Sequence, residues 1–165
     1  MRKVLITDGK NMCRGFTLLE MLIVISIFAI LSVSGIGYYR NYSKNVALDG
    51  MRDEMIFTLK EARAKSALGD AGSGDVSLSW GVFVVNGASD YYELYATPTT
   101  YLNASTTIHS TKTLDTGVIF TNPTEGANMD IRFEKITGST TPQTISFFSE
   151  GRVVTITISS LGVIY

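Results

Sequence analysis

Apolar and polar positions divide the chain into three regimes. Residues 21–39 form a run of 19 without a charge, led by Phe16, Thr17, Leu18, Leu19 and one carboxylate, Glu20. At about 1.5 Å per residue, such a run taken as a helix matches a bilayer core of roughly 30 Å. Residues 41–68 are polar, yet Leu48, Met51, Met55, Leu59 and Ala62 recur at helical spacing and fall on one face. Glu61 and Lys65 stand four apart, a favourable helical pair. No Pro lies between residues 16 and 68, so the two segments read as one helix, with Gly69 as the natural stop.

From Val76 the period changes to two. Val76, Leu78, Trp80, Val82 and Val84 alternate with Ser77, Ser79, Gly81, Phe83 and Val85. Asn86-Gly87 signals a turn. Strands are expected at residues 91–96, 118–120, 130–136, 144–148, 152–158 and 163–165, separated by Pro and Gly. Residues 97–116, rich in Thr and Ser, give no clear pattern, and His109 within them reads as an exposed loop residue. The expected fold class is α+β. A long N-terminal helix, transmembrane in its first half and amphipathic in its second, packs on a mostly antiparallel sheet of five to seven strands.

Charge sharpens this picture. Of 14 Lys+Arg and 15 Asp+Glu, four (Arg2, Lys3, Lys10, Arg14) and one (Asp8) lie in residues 1–15, leaving ten against fourteen. A basic start before an apolar run and an acidic body after it fit the positive-inside rule. An acidic body does not suit a general nucleic-acid binder. The only cysteine, Cys13, precedes the apolar run, so it fits neither a lipoprotein anchor nor a disulfide.

Candidate chemistry is sparse. One histidine cannot build a metal cluster, and no Ser-His relay is indicated. The carboxylates Asp90, Glu93, Asp115, Glu125, Asp130, Glu134 and Glu150 are scattered singly. Asp70 and Asp75 stand in a Gly-rich turn, but two carboxylates fall short of the six to eight oxygens calcium takes, so a solvated turn is expected. About half of Tyr91, Tyr92, Tyr95, Phe147 and Phe148 should be buried by strand alternation. Asn41 and Asn103 match the short glycosylation sequon. No metal, cofactor or catalytic residue is expected. Small residues at Gly35 and Gly37 read either as a flexible or close-packed section or as ordinary membrane-helix glycines.

The order of features around Gly15 is informative. A basic segment, then Gly15-Phe16-Thr17-Leu18-Leu19-Glu20, then the apolar run is not a secretory signal, where cleavage follows the apolar region. A carboxylate at the edge of such a run is costly in lipid and is a functional feature by default. This stretch resembles the prepilin signature of type IV pilins and type II secretion pseudopilins. The resemblance implies cleavage between Gly15 and Phe16 by a membrane prepilin peptidase, and methylation of the new Phe16 amine. It further implies pairing of Glu20 with the Phe16 amine of a neighbouring subunit. The implied organisation is a cleaved leader (1–15), a transmembrane assembly helix (16–40), an amphipathic helix (41–70) and a β-rich domain (71–165). Residues 51–67, Trp80-Gly81-Val82 and the closing residues 158–162 look like the minor pseudopilin H and FimT-like subgroup.

The implied function is structural: a minor subunit of a pilus or secretion pseudopilus, held in the inner membrane with its C-terminal domain outside the cytoplasm before it enters the filament. The implied partners are other subunits, the peptidase and the membrane. The alternative is a FimT-like minor pilin that captures DNA. Against it, only Lys112, Arg132, Lys135 and Arg152 face seven acids from Val76 onward. A third reading, a membrane-anchored enzyme, lacks a catalytic set.

Overall fold

The computed structural model describes residues 15–70 and 78–165, excepting the side chains of residues 33–37, 40 and 41. The expected leader before Gly15, and Asp75 and Val76, lie outside the described residues. The chain divides into two compact units that meet between Tyr39 and Arg40. Helix α1 (Leu18–Leu68) is followed by seven strands. These are β1 (Ser79–Val85), β2 (Tyr91–Thr97), β3 (Thr107–Thr113), β4 (Ile119–Asn122), β5 (Asn128–Phe133), β6 (Gln143–Ser149) and β7 (Arg152–Ile158).

The stop of α1 is a Schellman cap. Gly69 has φ of 70°, its N–H donates to the Ser66 carbonyl (3.1 Å), and the Asp70 N–H donates to the Lys65 carbonyl (2.9 Å). A side chain at that φ would be strained, which is why glycine serves there. The predicted stripe is the buried face: Leu48, Met55, Leu59 and Ala62 are fully covered and Met51 nearly so. Each such large side chain contributes about 1.5–3 kcal/mol on burial. Lys65 pairs with Glu61 at 3.0 Å, as their spacing predicts.

The strands form two antiparallel sheets, ordered β3-β2-β1-β5 and β4-β6-β7. One core unites the α1 stripe with Trp80, Val82, Val84 and Phe133 of the first sheet and Phe147 and Ile156 of the second. Two polar residues stitch the sheets together at the β1–β2 turn. Asn86 donates to the carbonyls of Phe120 (3.0 Å) and Pro123 (2.6 Å), and Asp90 accepts from the N–H groups of Gly87 (3.1 Å) and Phe120 (2.9 Å).

Four details depart from the sequence expectation. The sheet is split in two. The unpatterned Thr/Ser segment contains β3, held by pairing with β2 across Tyr91–Thr113 to Ala96–Thr107. The strand expected to reach residue 136 ends at Phe133, because Glu134 to Ser139 close a turn through the Glu134 N–H to the Ser139 carbonyl (2.8 Å). Residues 163–165 do not form a strand; they add a single bridge, Ile158 to Ile164.

The outer face of the first sheet is also covered. Tyr101, in the β2–β3 connection, stacks flat on Phe83 (3.7 Å between centroids, 4° between planes) and meets the Tyr95 ring edge-on at 5.0 Å. Its hydroxyl donates to Glu93 Oε2 (2.5 Å), while Thr111 donates to Glu93 Oε1 (3.1 Å) and Tyr95 donates to Asp130. Burial, then the Glu93 carboxylate, push the Tyr101 phenol well up. Beneath Tyr95 lies Gly81, where a Cβ would come within 2.6 Å of the Tyr95 hydroxyl and 2.7 Å of the Ile131 carbonyl. That close approach requires glycine.

Ion pairs fasten α1 to the turn joining β6 and β7. Arg152 grips Asp49 with two 2.9 Å hydrogen bonds, and Lys44 pairs with Glu150. Farther along the helix Lys112 pairs with Glu54, and Arg63 donates to the Leu161 carbonyl (3.1 Å).

Candidate functional site

The candidate site begins at Gly15 and Phe16, which precede α1. A Cβ on Gly15 would meet nothing within 4 Å, and Phe16 is 73% exposed. Thr17 caps the helix: its Oγ1 accepts the Glu20 N–H at 3.2 Å, and its carbonyl accepts the Met21 N–H at 3.2 Å. A Thr cap with Glu three positions on is the sequence pattern of a capping box. That pattern is legible in Thr17-Leu18-Leu19-Glu20, where the resemblance alone assigns Thr17 to the signature and not to a cap. Glu20 therefore lies in the first turn, where its negative charge suits the positive end of the helix.

Beyond the cap, apolar side chains project on every side. Leu18, Leu19, Ile25, Phe28, Ile30 and Leu31 are all more than half exposed. A helix hydrophobic all round is suited to burial in another medium or among other chains. Ser26 and Ser32 do not break this character, because their hydroxyls donate to the carbonyls four residues back, at 2.8 and 2.7 Å. Tyr38, Tyr39 and Tyr42 follow, all largely exposed. Among the described residues, no helix is long and apolar enough to cross a membrane. Residues 18–32 alone fall short of the roughly 20 needed. The expected transmembrane half is therefore not obtained from the described residues by themselves.

Among the described residues, no group of three or more His, Cys, Asp or Glu could hold a metal ion. Asp70 ends the helix with its carbonyl accepting the Trp80 indole N–H (3.1 Å). Asn103, one of the sequon positions, is engaged in its own turn, donating to Thr99 (2.9 Å) and accepting from the Ser105 N–H (2.8 Å). Of the five aromatics weighed above, Tyr92, Tyr95 and Phe147 are fully buried.

His109 is not in a loop but on β3, 4.4 Å from the Trp80 ring, whose other neighbour is the Lys65 ammonium at 4.2 Å. Desolvation, then the Lys65 charge, lower the imidazole below its usual 6.5, while Asp70 and Glu61 oppose the shift. The folded state thus binds this proton less readily than the unfolded chain. The resulting stability is intact above about 6.5 and is lost as pH falls through the folded-state value. Trp80 is the only tryptophan, so its fluorescence reports the change. Quenching by the protonated imidazole is expected with a midpoint below 6.5 and should vanish in His109→Gln. A midpoint at or above 6.5 would refute the contact.

Comparison with known proteins isolates the same segment. Residues 10–36 match the model for the prokaryotic N-terminal methylation motif. Over 38 residues the chain is 55% identical to prepilin peptidase-dependent protein D of Escherichia coli (strain K12), which is 23% of this chain. The match spans only about a quarter of that relative's length, 26%. No solved structure matches the chain. The capped, outward-facing apolar helix and the matched motif coincide: this chain carries a prokaryotic N-terminal methylation motif over residues 10–36.

Proposed function

We propose that the chain is a structural, non-catalytic subunit, a minor one, of a type IV pilus or type II secretion pseudopilus. The observation that carries the proposal is the Gly15-Phe16 junction in front of a capped helix whose apolar side chains face outward on all sides. The relative's name states dependence on a prepilin peptidase, and we carry that dependence to the bond between Gly15 and Phe16. Residues 1–15 are then a leader, and Phe16 becomes the methylated N-terminus. Residues 16–40 anchor the chain before assembly: the uncharged run 21–39 spans about 28 Å as a helix. Tyr38, Tyr39 and Tyr42 at its end suit the headgroup zone, where amphipathic rings collect. Residues 41–70 then carry the chain into the β-rich body, 71–165, outside the cytoplasm.

In the filament, Glu20 meets the Phe16 amine of a neighbour. Both charges leave water, so pairing is required to offset their desolvation, and the pair fixes axial register. DNA capture gains no support, since the body beyond Val76 carries more acids than bases. Intact-mass measurement of membrane-extracted protein tests the processing step. The expected product begins at methylated Phe16. A product beginning within or after residues 21–39 sinks the reading.

A further inference from the structure

Two exposed positions in the body carry a residue that their backbone does not favour, and no local contact calls for that residue at either. Ile136, 79% exposed at the tip of the β5–β6 turn, has φ of 69°. A β-branched side chain in that region is an outlier, and such outliers are expected where a function requires them. Gly50 lies inside helix α1, where glycine weakens the helix. No close packing demands it, since an added Cβ would meet nothing within 4 Å.

One position projects and the other is recessed. Ile136 is an exposed apolar side chain, and Lys135 is its neighbour along the chain. Gly50 lines a depression of about 670 Å³ together with Val46, Met51, Asp115 and the Glu54–Lys112 ion pair, so that Asp115 is the lining charge without a partner there. Val46 is half exposed, and a larger residue at 50 would intrude on the space. Neither Lys135 nor Asp115 has an ion-pair partner among the described residues. The knob and the hollow cannot meet within one chain. The Ile136 N–H is bonded to the carbonyl of Ser66, 16 residues beyond Gly50 on the helix, or about 24 Å at 1.5 Å per residue.

We propose that Ile136 and Lys135 of one copy dock into the Gly50 hollow of a second copy, with Lys135 against Asp115. The contact joins different patches, so it is head-to-tail, the type of contact that builds an open filament when its rotation does not close into a ring. It rests on the subunit reading above, of which it names a lateral contact.

Cysteine cross-linking of the full chain in assembling cells tests it, in a Cys13→Ser background. The double variant Gly50→Cys, Ile136→Cys should give an oxidation ladder of dimers, trimers and higher species. Each single variant should give at most a trace of dimer, and the two singles coexpressed should give dimer without a ladder. Gly50→Leu, for which the hollow has room, should keep the fold but reduce Lys135→Cys, Asp115→Cys cross-linking at least tenfold. Strong dimers from Ile136→Cys alone would mean a two-fold contact and overturn the proposal. So would a missing ladder in filaments that otherwise incorporate the variant. Absence of the unsubstituted chain from filaments would overturn the subunit reading and this contact with it.

Discussion

Replacing Glu20 by Ala is expected to abolish incorporation into filaments while leaving cleavage, membrane insertion and the fold of the body intact. Glu20 is the only charge between Phe16 and Arg40. On the proposed pairing, removing it leaves the neighbour's Phe16 amine unpaired in apolar surroundings, a loss of about 3–5 kcal/mol for a buried pair. That is more than a hundredfold in the equilibrium for adding a subunit. The local cost is much smaller. The Thr17 cap bonds the backbone of residue 20, not its side chain, and so survives the substitution. Only a dipole interaction of about 0.3–1 kcal/mol is lost there. Cleavage by mass, membrane fractionation and pelleting of sheared filaments separate the steps. Normal incorporation of Glu20→Ala would make the carboxylate a helix-start residue and nothing more.

Gly81→Val should be among the most damaging single changes in the body. Its Cβ meets both the Tyr95 hydroxyl and the Ile131 carbonyl, and the second is backbone paired across β1 and β5, so it cannot withdraw. Overpacking combined with loss of the Tyr95 to Asp130 hydrogen bond costs about 3 kcal/mol. A melting temperature lower by on the order of 10 °C is expected for a unit of this size. Thermal unfolding followed by circular dichroism checks this, with Gly50→Ala as the comparison expected to be neutral or better. An unchanged melting temperature in Gly81→Val would show that Tyr95 swings aside without cost.

What was legible in the sequence was legible through local periodicity. The stripe from Leu48 to Ala62, the Glu61–Lys65 pair and the Gly69 stop each depend on residues within a few positions of one another, and each is found as expected. What was not legible depends on partners far along the chain. β3 has no alternating pattern because most of its side chains are exposed, so only its pairing with β2 defines it. The division into two sheets follows from β5 joining β1, and β4 joining β6, choices that no segment carries alone. Period-two reasoning assigns one buried face to β2, yet Glu93, Tyr95 and Thr97 on the other face are buried as well. Tyr101 and the connection around it account for that, and their Thr-rich sequence gives no sign of it. The candidate site was legible in a different way. The order of basic segment, Gly15-Phe16, Glu20 and apolar run points to processing and assembly by chemistry, whereas the geometry contributes the Thr17 cap and the outward-facing side chains.

The fastening of α1 to the body has a mechanical consequence. Asp49 and Lys44 are tied to Arg152 and Glu150 toward one end of this helix segment, and Arg63 is tied to the Leu161 carbonyl toward the other. Between them the stripe from Leu48 to Ala62 is buried along its whole length. A pull along the helix axis therefore stresses these attachments simultaneously, as a lap joint carries shear, instead of peeling them one by one. Slippage needs the ion pairs and several buried side chains to give way in a single event, so resistance to tension depends on the height of that one barrier rather than on the strength of any single tie.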